Sequence, residues 1–196
     1  MPRVGMEPLR RATLVEATMA EIGRAGSLDI TVSQIAKRAG VSSALAHHYF
    51  GGKETLILAA MRQLLTDYGV EVRQALSPAN GHRDRLRAIV CAGFSKDHFR
   101  RDTIATWLNF YVLAQRSDEA LRLLSVYHKR LHSNLVHDLR PLVGPRAGDV
   151  ARRLAGLIDG LYLHHALRND GTTGPQAAAQ VCAALENELS KANENG

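Results

Sequence analysis

Apolar residues return every three or four positions along nearly the whole chain, which is the spacing of one face of an α-helix. No segment keeps the alternation of apolar and polar residues that indicates a half-buried strand. Clusters of Gly and Pro, such as those at Gly51 and Pro78, separate the periodic segments. The pattern therefore predicts an all-α fold with nine helices, at residues 7–25, 32–39, 43–49, 53–76, 83–97, 102–115, 118–139, 148–168 and 176–191.

The second and third predicted helices are short and carry clear start signals. Thr31 to Gln34 matches the S/T-x-x-E/Q capping box, in which two side chains satisfy free backbone N–H groups at a helix start. Gly40 can take positive φ and end the second helix, and Ser42 can cap the third. Two short helices joined by such a turn predict a helix-turn-helix, although the turn alone also fits two helices that simply pack together.

The third helix, "SALAHHYF", begins with unusually small side chains. A helix that enters the DNA major groove must bring its backbone close to base edges, and small residues permit this approach. Ser43, Ala44 and His47 share the outward face at its start, and we expect them to contact bases. The predicted phosphate contacts are the polar groups near the helix ends: Thr31, Ser42, His48, Tyr49 and Lys53.

Charge supports a polyanionic partner, here double-stranded DNA. The formal net charge is +6 and the pI is about 9.7. Residues 1–53 hold seven Lys and Arg against four Asp and Glu, which is half of the whole excess. Arg3, in the N-terminal arm, either enters a minor groove or is unordered.

Composition excludes several classes of protein. Apolar residues make up 45% and charged residues 22%, as in ordinary globular proteins, and no apolar run approaches the roughly 20 residues that span a bilayer. We therefore expect a cytoplasmic protein without a membrane partner. Cys91 and Cys182 lie far apart in periodic apolar segments and are predicted to be reduced core thiols. No glycine-rich phosphate loop, nucleophile elbow or H-E-x-x-H motif occurs, so neither an enzyme nor a cofactor is expected.

The segment "TVSQIAKRAGVSSALAHHYFGGKETL" resembles the signature of the TetR family of transcriptional regulators. The resemblance implies a homodimer that binds a palindromic operator, with a DNA-binding domain at residues 1–52 and a ligand-sensing, dimerising body at 53–196. It also implies an interface of four helices made by the last two long helices. The apolar residues of these helices, which a monomer would use as ordinary core, are the predicted interface: Leu154, Leu157, Ile158, Leu161 and Leu185.

Four segments, "MPRVGMEPLRRATLVEAT", "WLNFY", "RLHSNLVHDLR" and "LIDGLYLHHAL", are similar to the branch of this family that represses choline and glycine betaine genes. The resemblance implies a quaternary ammonium effector such as choline, which cannot donate hydrogen bonds and is bound by aromatic faces beside a carboxylate. The candidate effector residues are Trp107, Phe110, Tyr111, Tyr127, Asp159 and Tyr162. The aromatic residues fit a packed core equally well, and Asp159 alternatively pairs with Arg153 or His164 or lies at the dimer contact.

Three other functions remain as alternatives. The first is a TetR-like repressor with an unrelated apolar or cationic effector, and the second is an architectural DNA-binding protein that has no effector. The third is metal binding by His128, His132 and His137, but the charged neighbours of these residues favour a solvated polar face and no metal. In the favoured hypothesis the effector changes the separation of two recognition helices through the helix at residues 53–76.

Overall fold

The computed structural model describes residues 6–168 and 171–193, and the helices in these ranges confirm the all-α prediction. Arg3 lies outside the described residues. A single 3-10 turn, Gly144–Arg146, precedes the eighth helix. The helices are α1 (Met6–Ala25), α2 (Val32–Arg38), α3 (Ser43–Phe50), α4 (Lys53–Leu76), α5 (Gly81–Gly93), α6 (Arg101–Ala114), α7 (Asp118–Val143), α8 (Ala147–Arg168) and α9 (Gly174–Asn193).

Two helix ends differ from the prediction by four residues, whereas the other ends agree to within two residues. Helix α5 ends at Gly93 rather than at residue 97, because Phe94 leaves the helical conformation and packs its ring against Phe99 at 5.6 Å. Helix α7 continues through Pro141 to Val143 rather than ending at residue 139. Proline removes a helical hydrogen bond, but the extra turn buries Val143 to 5% exposure, which offsets that loss.

The chain folds as two compact units. Unit 1 holds the chain up to Thr66 together with Arg101–Leu124, and unit 2 holds Asp67–Arg100 and the chain from Ser125 onwards. Helices α4 and α7 each contribute residues to both units. The division predicted from the sequence, at residues 52 and 53, stays a prediction.

The core of unit 1 is formed by the apolar faces of α1 to α4. Leu14, Ile22 and Ile35 are fully buried there. Gly26 and Gly40 take positive φ, at 65° and 66°, and end α1 and α2 as their positions in the sequence predict. Burial of this apolar face, rather than the intrinsic helix propensity of seven or eight residues, keeps α2 and α3 helical.

Helix α6 also packs closely on α1 within unit 1. A Cβ atom added to Gly23 would overlap the Cβ of Asp102 and lie 2.6 Å from its Cα, so only glycine permits this approach. Further along α6, Asn109 donates a hydrogen bond to the carbonyl of Gly26 at 3.3 Å. The first helix of unit 1 is therefore held directly against α6.

Gly23→Ala is expected to push α6 away from α1 and to lower the free energy of unfolding by about 1–3 kcal/mol, the usual cost of overpacking. Chemical denaturation measures the loss. Gly148→Ala in α8 is the matched control, because its new Cβ would meet only one side-chain atom at ordinary contact distance. Equal stabilities of the two variants would contradict the close approach.

A buried carboxylate joins α1 to α2. Glu21 is 4% exposed and accepts hydrogen bonds from Arg24, at 2.7 and 3.0 Å, and from Arg38 at 2.5 Å. The Arg24 bonds, followed by those of Arg38, lower the pKa of Glu21 below its ordinary value of 4.5, although burial opposes them. The sequence offered no sign of this contact, because Glu21 and Arg38 are 17 residues apart.

Glu21→Gln is expected to cost about 1–3 kcal/mol of stability at pH 7, since hydrogen bonds to a charged group are lost. The folded pKa is depressed, so this stability is present above the unfolded pKa and disappears as the pH falls below 4.5 through the folded pKa. Denaturation at pH 7 and near pH 3 should therefore show a smaller pH effect in the variant. Glu16→Gln, at an exposed position of the same helix, should retain the wild-type pH effect.

In unit 2, α9 lies beside both α5 and α8. On one flank of α9, Arg87 donates to Glu186 at 2.7 Å, and on the other Arg153 donates to Glu188 at 2.9 Å. Asp138 of α7, 1% exposed, accepts from Arg85 at 2.9 Å and so joins α7 to α5. These charged contacts help to set the positions of α8 and α9, the predicted dimerisation helices.

Part of the predicted dimer interface is already buried within a single chain. Leu154, Ile158 and Leu185 are 2%, 4% and 0% exposed within a single chain, so they belong to the core of unit 2. Leu157 and Leu161 are half-buried. The outward face of α8 and α9 includes exposed small and apolar residues and one half-buried glycine: Gly156, Leu163, Leu167, Ala179, Ala183 and the half-buried Gly160.

The prediction of two core thiols is wrong. Cys91 is exposed and Cys182 is half-buried. The sequence could not indicate this, because apolar periodicity identifies a helix face only approximately and both residues lie at the edge of theirs.

Candidate DNA interface and effector site

Side-chain caps position the turn between α2 and α3. Thr31 accepts a hydrogen bond from the backbone N–H of Gln34 at 3.2 Å, and the Gln34 side chain accepts from the Thr31 N–H at 2.7 Å. Ser42 accepts from the N–H of Leu45 at 3.2 Å. The predicted capping box and the predicted cap of α3 are both confirmed.

Helix α3 presents the residues predicted to contact bases. Ala44 and His47 are exposed and Ser43 is half-buried, with its hydroxyl donating to Ser33 at 3.2 Å. The inward side is held by Ala46, fully buried, and by Phe50, 9% exposed. The outward face is therefore small at its N-terminal end, as a close approach to base edges requires. Base contact itself stays a prediction.

The groups predicted to contact phosphate are also near the surface. Thr31, Ser42, His48 and Lys53 are exposed, and Tyr49 is half-buried. The Thr31 hydroxyl is occupied by Gln34, since it both accepts from the backbone and donates to the side chain at 3.1 Å. Lys53 makes a long bond of 3.4 Å to the carbonyl of Leu28. Phosphate contact by these groups stays a prediction.

Arg11 is a functional candidate that the sequence did not indicate. It donates to the backbone carbonyl of Tyr49 at 2.7 Å, and its guanidinium lies 4.7 Å from the centre of the Phe50 ring. The bond satisfies a carbonyl in the last turn of α3 and places a cation near the negative end of the helix dipole. Arg11 therefore fixes the recognition helix against α1 from 38 residues away in sequence.

The predicted effector residues of α6 form one aromatic group in unit 1. The ring of Trp107 lies 6.0 Å from Phe110 and 6.4 Å from Tyr111. Trp107 is 5% exposed, Phe110 is fully buried and Tyr111 is half-buried. In this unit the three residues pack as core.

A second aromatic group lies in unit 2, around Tyr68. Its ring meets the edges of Tyr127 and His98 at 5.4 and 5.5 Å. His98 Nε2 lies 2.6 Å from a carboxylate oxygen of Glu71, and burial lowers the His98 pKa while Glu71 opposes that change. Burial also raises the pKa of Tyr68, and the negative charges of Asp159 and Glu71 raise it further. Tyr68, which contacts the ring of Tyr127, therefore lies in the field of two carboxylates.

The effector residues predicted from the sequence include Tyr127 and Asp159. They do not include Tyr68, Glu71 and His98. Tyr68 and Glu71 are three residues apart on α4, which is the only local sign of a shared face. Tyr162 belongs to a neighbouring group, where it stacks on Phe94 at 5.3 Å and donates to the carbonyl of Gly93. Arg153, an alternative partner of Asp159, is bound to Glu188.

A metal centre and a membrane span are both missing from residues 6–168 and 171–193. No group of three or more His, Cys, Asp and Glu residues in these ranges is placed to hold a metal ion. No helix there is both long and apolar enough to cross a membrane.

The protein has an exposed recognition helix, which side-chain caps and Arg11 hold in place, and an all-α body with a charged aromatic group. These features are those of a DNA-binding transcriptional regulator. Residues 14–60 match the family model of bacterial regulatory proteins of the tetR family, and residues 82–190 match the C-terminal domain of the BetI-type transcriptional repressor. The chain therefore belongs to the TetR family of transcriptional regulators and has a BetI-type C-terminal domain.

Curated relatives agree with this assignment. The chain is 52% identical over 182 residues to the HTH-type transcriptional regulator BetI of Brucella suis biovar 1, an alignment that covers 92% of this chain and 90% of that protein. It is 52% identical over 170 residues to BetI of Agrobacterium fabrum, covering 86% and 82% of the two chains.

Solved structures share the fold. A transcriptional regulator from Pseudomonas aeruginosa PAO1 is 27% identical with a TM-score of 0.82, covering 98% of this chain and 96% of that chain. A transcriptional regulator from Saccharomonospora viridis, solved in complex with choline, is 22% identical with a TM-score of 0.80, covering 90% and 95%.

Proposed function

We propose that this protein is a homodimeric repressor that binds a palindromic operator and responds to a quaternary ammonium cation of the choline type. The observation that carries the proposal is the group in unit 2 in which Tyr68 contacts the ring of Tyr127 and lies in the field of Asp159 and Glu71. The choline in the Saccharomonospora viridis structure and the BetI-type C-terminal domain support the same ligand class.

The chemistry of the group suits this ligand. A quaternary ammonium offers no N–H donor, so it gains little from an uncharged acceptor and much from tyrosine faces and a carboxylate. In a partly desolvated site each cation–π contact contributes about 2 kcal/mol. Asp159 is half-buried, so its charge is screened less than that of a surface carboxylate.

Helix α4 is suited to pass a binding event to the DNA-binding residues. It begins at Lys53, three residues after α3 ends, and it carries Tyr68 and Glu71. Fifteen residues of helix separate Lys53 from Tyr68, about 22 Å at the usual rise. A ligand that prefers one position of Tyr68 therefore biases the position of the N-terminal end of α4 and of the recognition helix.

Dimerisation completes the DNA-binding surface, because one helix-turn-helix contacts too few base pairs for useful specificity. The outward face of α8 and α9 is proposed as the contact. An added Cβ at Gly156 or Gly160 would meet no atom within 4 Å of the same chain, so both glycines leave room for a second helix pair. The proposal gives the protein no catalytic step and places it in the cytoplasm with its operator.

The test compares choline with 3,3-dimethylbutanol, its neutral isostere. Calorimetry on the full-length dimer should show saturable binding of choline and at least about tenfold weaker binding of the isostere, because only the cation gains from ring faces and carboxylates. Choline should also change operator affinity in a fluorescence anisotropy assay. Equal binding of both compounds would reject the cation site, and operator binding unaffected by either would favour the architectural alternative.

Substitutions in the DNA interface should separate phosphate from base contacts. Lys53→Met should weaken binding to all DNA sequences alike and reduce the salt dependence by about one phosphate contact. His47→Ala should change the preferred base at one operator position, where a base contact contributes about 1–3 kcal/mol. Arg122→Met, an exposed cation of α7, is the control, and binding to a library of operator variants measures all three. A change of sequence preference in Lys53→Met, with uniformly weaker binding in His47→Ala, would overturn the assignment of Lys53 to phosphate and of His47 to a base.

A further inference from the structure

Cys91 and Cys182 lie 91 positions apart in sequence, yet in unit 2 their side chains are close enough for each thiol to shift the pKa of the other. Cys91 is on α5 and Cys182 is on α9. Both are free thiols, and Cys91 is exposed to solvent. Neither residue has a part in the DNA interface or in the Tyr68 group.

The two cysteines face each other across α5 and α9, and an ion pair joins the same two helices one turn away. Arg87 is four residues before Cys91 on α5, and Glu186 is four residues after Cys182 on α9. Arg87 donates to Glu186 at 2.7 and 3.2 Å. The ion pair holds the two helices in register, so the thiols are kept beside each other.

This arrangement makes the two thiols chemically unequal. The Cys182 hydrogen bond lowers the pKa of Cys91 to about 6, burial opposes it, and the Arg87 guanidinium lowers it further. The interaction with Cys91 raises the pKa of Cys182. Burial raises it further, and the Glu186 carboxylate adds to the increase. Cys91 is the more exposed sulfur and lies one turn from the Arg87 guanidinium on α5, so it is the better placed of the two to react as a thiolate.

We propose that Cys91 and Cys182 form an oxidation site, in which Cys91 reacts with a hydroperoxide and Cys182 then closes an intramolecular disulfide. The geometry carries the proposal: α5 packs on α9, the Arg87–Glu186 ion pair sets a register that places Cys91 opposite Cys182, and both thiols are free, with Cys91 exposed. Cys91 also lines a groove of about 590 Å³ with Phe94, Phe99 and Pro175. This apolar lining admits an organic hydroperoxide to the sulfur.

The reaction balances with the hydroperoxide as the oxidant. The Cys91 thiolate attacks the terminal oxygen, the O–O bond breaks, an S–O bond forms, and the alkoxide leaves and takes a proton to become an alcohol. The Cys182 sulfur then attacks the Cys91 sulfenic acid, forming the S–S bond as the S–OH bond breaks. The departing hydroxide takes the Cys182 proton and leaves as water. Two thiols are oxidised and one hydroperoxide is reduced.

A disulfide here would tie α5 covalently to α9 on the flank of α9 that carries Glu186. Ala179 and Ala183 share the face of α9 that carries Cys182 and Glu186, so the proposed dimer contact borders Cys182, whereas Cys91 is exposed on α5, outside the Tyr68 group. The site therefore does not depend on the proposed effector.

The test uses the full-length reduced protein without added thiol, treated with one equivalent of cumene hydroperoxide. Mass spectrometry should show the loss of two hydrogens per monomer and a peptide that links Cys91 to Cys182. Cys182→Ser should stop at a Cys91 sulfenic acid that dimedone traps, and Cys91→Ser should react at least about tenfold more slowly than the wild type. Links only between monomers, or modification of Cys182 at the wild-type rate in Cys91→Ser, would overturn the proposal.

Two further measurements keep the test independent of how the cysteine variants fold. In the wild type, iodoacetamide should label Cys91 before Cys182, with a rate midpoint well below the ordinary thiol pKa of about 8.5. Arg87→Gln should move that midpoint upward. Arg83→Gln, which also faces Glu186 but lies two turns from Cys91, should leave it nearly unchanged. Equal labelling rates at the two sulfurs would contradict the assigned roles.

Discussion

Ala183→Glu on the outward face of α9 is expected to give a folded monomer with at least about 100-fold weaker operator binding. Ala183 is exposed in the single chain, and Glu is a good helix former, so the monomer itself loses little. In a dimer with two-fold symmetry the substitution occurs twice at one contact, which brings two carboxylates into a desolvated interface. Like charges placed together in an interface cost several kcal/mol.

Analytical ultracentrifugation and operator binding measure this effect together. Gln74→Glu adds the same charge at an exposed position of α4 and should leave both the dimer and the operator affinity unchanged. Thermal unfolding reports whether the Ala183→Glu monomer is folded. A stable Ala183→Glu dimer would reject the outward face of α8 and α9 as the contact, without affecting the proposed effector site.

Asp159→Asn is expected to weaken choline binding by at least about thirtyfold and to leave operator affinity without choline unchanged. The amide keeps the size of the side chain but removes the charge, and losing one partner of a desolvated charge pair costs about 2–5 kcal/mol. Tyr68→Leu should add a loss of similar size, since it removes the ring that lies 5.4 Å from Tyr127.

The control for Asp159→Asn is Asp149→Asn on the same helix. Asp149 is an exposed carboxylate that pairs with Arg152 one turn away, so its charge is largely screened. Calorimetry with choline and with 3,3-dimethylbutanol should show that Asp159→Asn loses the preference for the cation, whereas Asp149→Asn keeps it. A preference retained in Asp159→Asn would place the cation elsewhere in the protein.

The sequence predicted the features of this protein that depend on neighbouring residues. Thr31 and Gln34 are three apart, and Ser42 precedes α3 directly, so their caps follow from local geometry. The all-α class follows from a period that recurs over the whole chain. Helix ends were predicted less accurately, since the burial of Val143 and the packing of Phe94 are decided by residues outside their own helices.

The family could also be identified from the sequence, because the helix-turn-helix signature is one continuous segment. Effector binding by the predicted aromatic residues stays a prediction. In unit 2, Tyr127 contacts an aromatic ring and Asp159 lies near a tyrosine. The sequence did not indicate Tyr68, Glu71 and His98, because the packing of α4 and of the turn after α5 brings them to this group.

The amino-acid sequence by itself therefore determined the helices, their caps and the family, since each rests on residues close in the chain. The tertiary structure alone decided which apolar residues of α8 and α9 remain at the surface. It also decided that Arg11 holds α3, that Glu21 joins two helices, and that Cys91 meets Cys182. Helical periodicity defines a face but not the helix that covers it, and that choice is made only when the whole core packs.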